Sequence, residues 1–274
     1  VSWEADLWGR LRSEEAASYH SYEAQEAEFA ALQLSLTGQA SKVWFACMEA
    51  ASQLSLARAT RDSFEESSQS IQVRFEAGLR PASELRLVLI DVATAESLVK
   101  QRSEQLARTV RQLEILTGRY PSGTLQLGNA LPEFPGPVPA GLPVQIVARR
   151  PDLIAARKRL LTADAHIAAS QAALYPSLTL TGSLGTSSDA LKSLLDGNFS
   201  IWSLAGNAVQ PIFQSGRLRR GVELARARAD EALQSYAAAV LQALAEVESA
   251  LAAEAFLNEQ VLALEQAIKQ VISL

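Results

Sequence analysis

The tetrapeptide Gly-Arg-Leu-Arg occurs twice in this chain, at Gly9 to Arg12 and at Gly216 to Arg219. Each copy closes a strand-like run and opens a long Ala-rich stretch of helical periodicity. The first reads Trp3-Glu-Ala-Asp-Leu-Trp-Gly-Arg-Leu-Arg12 and the second Val209-Gln-Pro-Ile-Phe-Gln-Ser-Gly-Arg-Leu-Arg219. Most of the chain separates them, so they mark two halves of a duplicated unit and not the short period of a solenoid. A strand feeding an overlong helix, repeated once, is an architecture for spanning distance. Glycine at each corner, Gly9 and Gly216, permits a φ that other residues resist, and Arg10 and Arg217 with their neighbours would stand level with the edge of whatever the strands cross. A loop glycine with solvated arginines is the plain alternative at either site alone. The shared flanks favour the repeat.

Composition narrows the classes. Of 274 residues, 48% are apolar and 20% charged, with few aromatics, which suits long packed helices. The net charge of −5 argues against nucleic acid as a partner. A lone cysteine excludes an internal disulfide, and with only His20 and His166 beside it a Cys/His metal site is not expected. No run of about eighteen apolar residues predicts a transmembrane helix. The chain begins at Val1 with no signal peptide and reads as a processed form or a fragment.

Three helical segments carry apolar seams. Leu36, Ala40, Val43, Cys47, Ala50, Leu54 and Ala57 alternate steps of four and three, the period of a coiled coil, with Cys47 as a buried knob. Leu85, Val88, Val92, Ala95 and Val99 keep that step, and Leu106, Val110 and Leu113 resume it. The third segment carries Leu233, Tyr236, Val240, Leu244, Val247 and Leu251, then Leu257, Val261, Leu264, Ile268 and Val271. A helix over 13–77 would be about 100 Å long at roughly 1.5 Å per residue, which requires it to lie against others.

Between the first two segments, Arg74-Phe-Glu-Ala-Gly-Leu-Arg-Pro-Ala-Ser-Glu-Leu85 predicts a helical hairpin tip. Gly78 suits the left-handed position after a helix, Pro81 a first turn, and Ser83 or a neighbour a cap. A mere turn is the alternative reading. From Gly118 to Leu142 glycines and prolines crowd the sequence into an irregular strap, extending to about residue 146. Helix resumes near Arg149-Arg-Pro-Asp152, with Pro151 at its first position and Asp152 in its first turn, and continues to about Ala173.

Residues 175–184 alternate, with Leu178, Leu180 and Leu184 on one face and Thr179, Thr181 and Ser183 on the other. Residues 201–209 repeat the pattern, with Trp202, Leu204 and Ala208 opposite Ser203 and Asn207. Both runs approach the ten or so residues of a tilted membrane strand, and a small polar face suits a wet lumen. An amphipathic hairpin on a soluble domain is the alternative for this pattern taken alone.

These stretches together resemble the outer-membrane efflux protein family, the TolC-like channels, and most closely its OprM/NodT branch. The resemblance rests on Trp3-Glu-Ala-Asp-Leu-Trp-Gly-Arg-Leu-Arg, on Arg74-Phe-Glu-Ala-Gly-Leu with Ser83-Glu-Leu, and on Ala140-Gly-Leu-Pro followed by Arg149-Arg-Pro-Asp-Leu. Tyr175-Pro-Ser-Leu-Thr-Leu and Pro211-Ile-Phe with Gly216-Arg-Leu complete it, so that it covers nearly the whole chain.

The resemblance implies a mainly α fold with a small β part. Long antiparallel coiled-coil helices form an α-barrel, joined to strands of an outer-membrane β-barrel and built from a duplicated repeat. The implied segments are a strand end (1–9), a periplasmic hairpin (10–117), an equatorial strap (118–146), a second-repeat helix (147–174), a transmembrane hairpin (175–212) and a long helix (213–274). It further implies a homotrimer whose protomers each give four strands to one barrel set in outer-membrane lipid of a Gram-negative cell. The trimer would be a passive conduit driven by an inner-membrane pump, with a periplasmic adaptor docked on the hairpin tips. Ala77, Gly78 and Leu79 would contact the adaptor, Arg74 and Ser83 would shape the turn, and Thr179, Thr181, Ser183, Ser203 and Asn207 would line the barrel. Complete members have two strands before the first long helix and a second tip after the last, so this sequence reads as truncated at both ends. It would thus lack the lipid-bearing cysteine common in the branch and the acidic residues of the aperture gate.

Drug, metal, dye or protein cargo all fit such a tunnel, so a channel for protein secretion is an alternative. A soluble periplasmic coiled-coil adaptor or scaffold would share the hairpin but has no use for two membrane-length strands. An enzyme is not expected, for no nucleophile motif, phosphate loop or ligand cluster is present and no cofactor is implied. Glu246 and Glu248, two apart on a helix, point in different directions and read as solvated or interhelical.

Overall fold

The computed structural model describes residues 1–125, 132, 136, 149–186 and 200–272. The described elements are β1 (Ser2–Ala5), α1 (Arg10–Glu76), α2 (Ala82–Leu116), α3 (Pro151–Ala172), β2 (Ser177–Thr186), β3 (Ser200–Val209) and α4 (Arg217–Ile272). Most of the segment expected to be a strap, and the loop between β2 and β3, lie outside the described residues. The chain falls into two units, one of Val1–Ala31 with Pro137–Leu274 and one of Leu32–Gly136, and α1 contributes to both.

The second unit is a helical hairpin. Cys47 packs with Val110 and Leu113, and further along Leu54 and Ala57 pack with Val99. Rising numbers on α1 meet falling numbers on α2, so the two run antiparallel. The buried apolar positions, apart from Met48, are those of the expected seams, with Val88 and Ala95 continuing them toward the tip, whereas Leu36 is exposed. Each fully buried Leu or Val contributes about 1.5–3 kcal/mol to such a seam. Cys47 is sealed in this core, and burial raises its thiol pKa, which suits a structural role.

α1 ends at a left-handed Gly78 (φ 71°). The Leu79 N–H donates to Arg74 O at 2.8 Å and the Gly78 N–H to Phe75 O at 2.9 Å, the paired bonds of a Schellman motif. α2 ends the same way at Gly118, where the Arg119 N–H reaches Glu114 O and the Gly118 N–H reaches Ile115 O. The start of α2 differs from expectation. Pro81 is the extended N-cap residue and no side chain caps the helix, so Ser83 lies inside the first turn. Proline fixes φ and lacks an N–H, which lets it end the turn where a capping serine was expected.

In the first unit α3 packs against α4, with Leu153 and Ala243 at the centre and Val240, Leu244 and Val247 around them. Arg150 is the N-cap residue, Pro151 follows at the first position, and Asp152 lies in the first turn. The early part of α1 joins α3 through Glu23, whose Oε2 accepts from Lys158 Nζ at 2.7 Å and lies 3.0 Å from His20 Nδ1. Glu28 and Arg159 add a further ion pair. The expected seam of α4 holds from Tyr236 to Leu251, where Val240, Leu244 and Val247 surround Ala243, but before it Val222, Ala225 and Ala229 are buried while Leu233 is exposed. Beyond Leu251 the expected seam residues Leu257, Val261, Leu264 and Ile268 are also exposed. The reason is length, since α3 has 22 residues against 56 in α4 and its start already lies opposite Ala243.

Candidate functional site

Hydrogen-bond register sorts the strand side chains into two faces. β2 and β3 are antiparallel from Ser177↔Val209 to Thr186↔Ser200, and β1 adds Ser2↔Thr181 through Ala5↔Leu178. Residues directly opposite share a face, and successive ones alternate. One face therefore carries Trp3, Ala5, Leu178, Leu180, Leu184, Trp202, Leu204 and Ala208. The other carries Ser2, Glu4, Thr179, Thr181, Ser183, Ser203 and Asn207, interrupted by Ile201, Ala205 and Val209. All five residues expected to line a lumen thus lie together on the polar face, where Ser183 Oγ and Ser203 Oγ are 2.7 Å apart and Thr179 is opposite Asn207. On the apolar face Leu184, Trp202 and Leu204 are 84%, 75% and 69% exposed. β2 and β3 have ten residues each, the length that spans a bilayer as a tilted strand.

The two strand-to-helix corners share a backbone. Gly9 and Gly216 both have φ 77°, the left-handed region that strains any residue with a Cβ. Gly9 O accepts from the Ser13 N–H and Gly216 O from the Arg220 N–H, each at 2.9 Å, so both glycines occupy the N-cap position. The side chains around them differ. At the first corner Arg10 lies 2.8 Å from Glu4 and 2.7 Å from Glu14. At the second, Arg217 donates to Gln214 Oε1 at 2.6 and 3.1 Å. Trp8 steadies the first corner against the entry of β2, its indole N–H donating to Pro176 O at 2.8 Å and its ring stacking on Tyr175 at 4.9 Å.

Within the hairpin unit the tip is bare. Arg74, Ala77, Gly78, Leu79 and Ser83 are all exposed, and a Cβ placed on Gly78 would meet nothing within 4 Å. Arg74 contributes its carbonyl to the turn, Leu79 projects its side chain outward, and Arg80 pairs along the helix with Glu84 at 3.1 Å. The tip is therefore a closed backbone turn with an apolar side chain at its summit and small residues beside it.

Two carboxylates that organise these regions were not among the expected residues. Asp6 accepts from the Leu11 and Arg12 N–H groups at 3.1 and 2.9 Å, capping α1 from three residues before Gly9. The Arg12 amide, foremost among its donors, holds its carboxyl below the ordinary value. Glu114, buried near the end of α2, accepts from the Gly123, Thr124 and Leu125 N–H groups and from Ser122 Oγ at 2.7, 3.1, 3.3 and 3.0 Å. The Gly123 amide leads in lowering its pKa, against the opposing effect of burial. It latches the start of the expected strap onto the hairpin. Aspartate two to three residues before a Gly-Arg corner was a readable capping signal, but a glutamate whose donors come from a folded-back loop leaves no such mark.

Arg150 bridges Asp152 at 2.8 Å and Glu246 at 2.7 Å, so Glu246 is an interhelical partner. Among the described residues no group of His, Cys, Asp and Glu could hold a metal ion, and no described helix is long and apolar enough to cross a membrane.

Comparison with known proteins places this geometry. The family described as outer membrane efflux protein matches residues 1–119 and 142–272. Outer membrane protein OprJ of Pseudomonas aeruginosa is 34% identical over 270 residues, covering 94% of this chain and 54% of its own length. Toluene efflux pump outer membrane protein TtgF of Pseudomonas putida is 32% identical over 260 residues, covering 95% and 54%. The crystal structure of a membrane protein from Pseudomonas aeruginosa superposes with a TM-score of 0.89 at 32% identity, over 96% of this chain and 60% of that one. The chain thus spans about half the length of the curated relatives it matches. With strands, corners and hairpin in the matched order, the chain belongs to the outer membrane efflux protein family.

Proposed function

We propose that the chain is part of an outer-membrane efflux channel, in which three copies of the parent protein form a passive conduit from the periplasm to the exterior. The observation that carries this reading is the sorting of two ten-residue strands into an exposed apolar face and a polar face of small side chains. An exposed apolar sheet face is costly in water and stable in lipid. The polar face, with Thr179, Thr181, Ser183, Ser203 and Asn207, lines the aqueous side. The chain's edge strands β1 and β3 find their partners in other strands of a closed barrel, because open sheet edges do not persist in hydrocarbon. No catalytic step belongs to this reading.

The hairpin tip is the docking point for a periplasmic adaptor that links the channel to an inner-membrane pump. Its supporting geometry is the bare turn, where absence of a Cβ at Gly78 leaves the backbone open to close approach and Leu79 offers an apolar contact. The membership of relatives named as pump components supports it as well.

Conductance of the full-length protein in planar bilayers tests the conduit. A trimer-sized pore is expected, and well-folded protein without conductance would overturn the reading. For the tip, Gly78→Trp together with Leu79→Asp is expected to abolish adaptor capture while leaving conductance intact; capture that survives both changes removes the docking assignment.

A further inference from the structure

The second corner differs from the first in a way that the conduit does not use. Arg217, Arg219 and Arg220 occupy the first four residues of α4, whose first turn has no acidic residue. Among the described residues the Arg217 guanidinium is bonded only to the neutral side-chain amide of Gln214. Among the described residues no carboxylate lies within ion-pair distance of Arg217, Arg219 or Arg220, whereas Arg10 is held between Glu4 and Glu14. The chain as a whole carries a net charge of −5, so this basic cluster is not part of a general excess.

The cluster adjoins two bare apolar side chains. Ile212 and Phe213, between the end of β3 and the helix, are 94% and 86% exposed. They share with Arg217 and Arg219 a hollow of about 620 Å3. In water this pairing is unfavourable twice over, since it leaves apolar surface wet and like charges crowded.

We propose that this corner binds the phosphate headgroup of an anionic phospholipid, in the membrane leaflet on the helical side of the strands. The proposal rests on the reading that β2 and β3 cross a membrane. Ten residues of tilted strand cover about 25 Å, close to the apolar band of an outer-membrane barrel, so the chain leaves the hydrocarbon near Val209. Ile212 and Phe213 then meet the acyl chains at the boundary, and the arginines, within the next turn, meet the phosphates. Guanidinium matches phosphate with paired N–H donors and is weakly hydrated, which favours arginine at this depth. Three uncompensated cations select an anionic headgroup over a zwitterionic one.

The test uses full-length protein in nanodiscs of equal phosphatidylglycerol and phosphatidylcholine, with retained lipid counted by native mass spectrometry after mild delipidation. Wild-type protein is expected to retain phosphatidylglycerol about tenfold over phosphatidylcholine, because basic residues at a membrane surface favour anionic lipid. R217Q/R219Q/R220Q is expected to bring the two lipids within about twofold of each other, while R226Q/R228Q, farther along α4, keeps the preference. Should the triple variant not assemble, R219Q alone must cut the preference about threefold. Undiminished preference in the triple variant, or in R219Q where that is the variant used, overturns the proposal. Displacement of the lipid by millimolar inorganic phosphate marks a free-anion site and overturns it too. Protein that inserts and conducts but shows no lipid preference refutes this inference alone, whereas protein that neither inserts nor conducts refutes the conduit reading beneath it.

Discussion

The helix pairs of the two units solve one packing problem with different side chains. In the hairpin unit the buried apolar residues are mostly large, with Cys47, Met48, Leu54, Val88, Val99, Val110 and Leu113 outnumbering Ala50, Ala57 and Ala95. In the strand-bearing unit they are alanines apart from Leu153 and Val222. Backbone spacing follows. α3 and α4 bring Cα atoms within 8 Å of each other at many positions, and α1 and α2 hardly at all. A seven-residue apolar repeat therefore fixes which faces meet, while side-chain volume fixes how near they come. Close approach gains backbone contact and leaves little tolerance for added volume. Bulky knobs tolerate adjustment but lose more when cut.

That contrast predicts opposite sensitivities. Leu54→Ala should cost the most, about 2–5 kcal/mol, because it empties a space that the hairpin fills with one side chain; denaturant unfolding in detergent measures it, and a loss below that range would say the hairpin collapses readily. Ala243→Leu should cost about 1–3 kcal/mol through overpacking, although it adds apolar surface. A neutral result there would show that the tight spacing of α3 and α4 is not needed for stability. Gly9→Ala and Gly216→Ala should each cost about 1–2 kcal/mol and by equal amounts, since strain at φ 77° belongs to the backbone that the corners share. Unequal costs would assign the strain to the differing side chains.

Smaller effects separate the electrostatics of the units. Arg150→Gln removes the tie from the start of α3 to Glu246 and should cost about 0.5–1 kcal/mol, as these groups are partly solvated. High salt should weaken the wild-type tie correspondingly. Asp6, Glu23 and Glu114 are held below their ordinary values by N–H and ammonium donors, led by the Arg12 amide, Lys158 and the Gly123 amide in turn. The unfolded chain binds their protons more readily, so their stabilisation is complete above the unfolded carboxylate values of 3.8 and 4.5 and is lost as pH falls below them. Thermal melting between pH 6 and pH 3 should fall less steeply in Glu114→Gln than in wild type. An unchanged slope would mean that the latch does not titrate with folding.

Much of this architecture was legible because it is periodic. The step of 3.5 along Cys47, Leu54, Val99 and Val110 located the hairpin, and alternation at Leu178 to Leu184 located the strands and their faces. Glycines at 9, 78 and 216 were readable because only one residue type takes those torsions without strain. The seam of α4 was legible at Val240, Leu244 and Val247 but its small members were missed: leucines were counted as core, yet the methyl groups of Ala225, Ala229 and Ala243 are buried and Leu233 is exposed. The latch at Glu114 was hidden because its donors are backbone amides, which carry no sequence signature. Pro81 was placed in a helix whose edge it marks.

The free edge of β3 carries a kinetic consequence. Ten residues of strand leave their outward N–H and C=O groups without a partner among the described residues, and each such group costs several kcal/mol in hydrocarbon. In the proposed barrel, entry into the bilayer must therefore wait on other strands to supply those bonds, so that insertion and closure proceed as one event. If three copies share that barrel as proposed, insertion of the full-length protein should accelerate more than proportionally as it becomes more abundant.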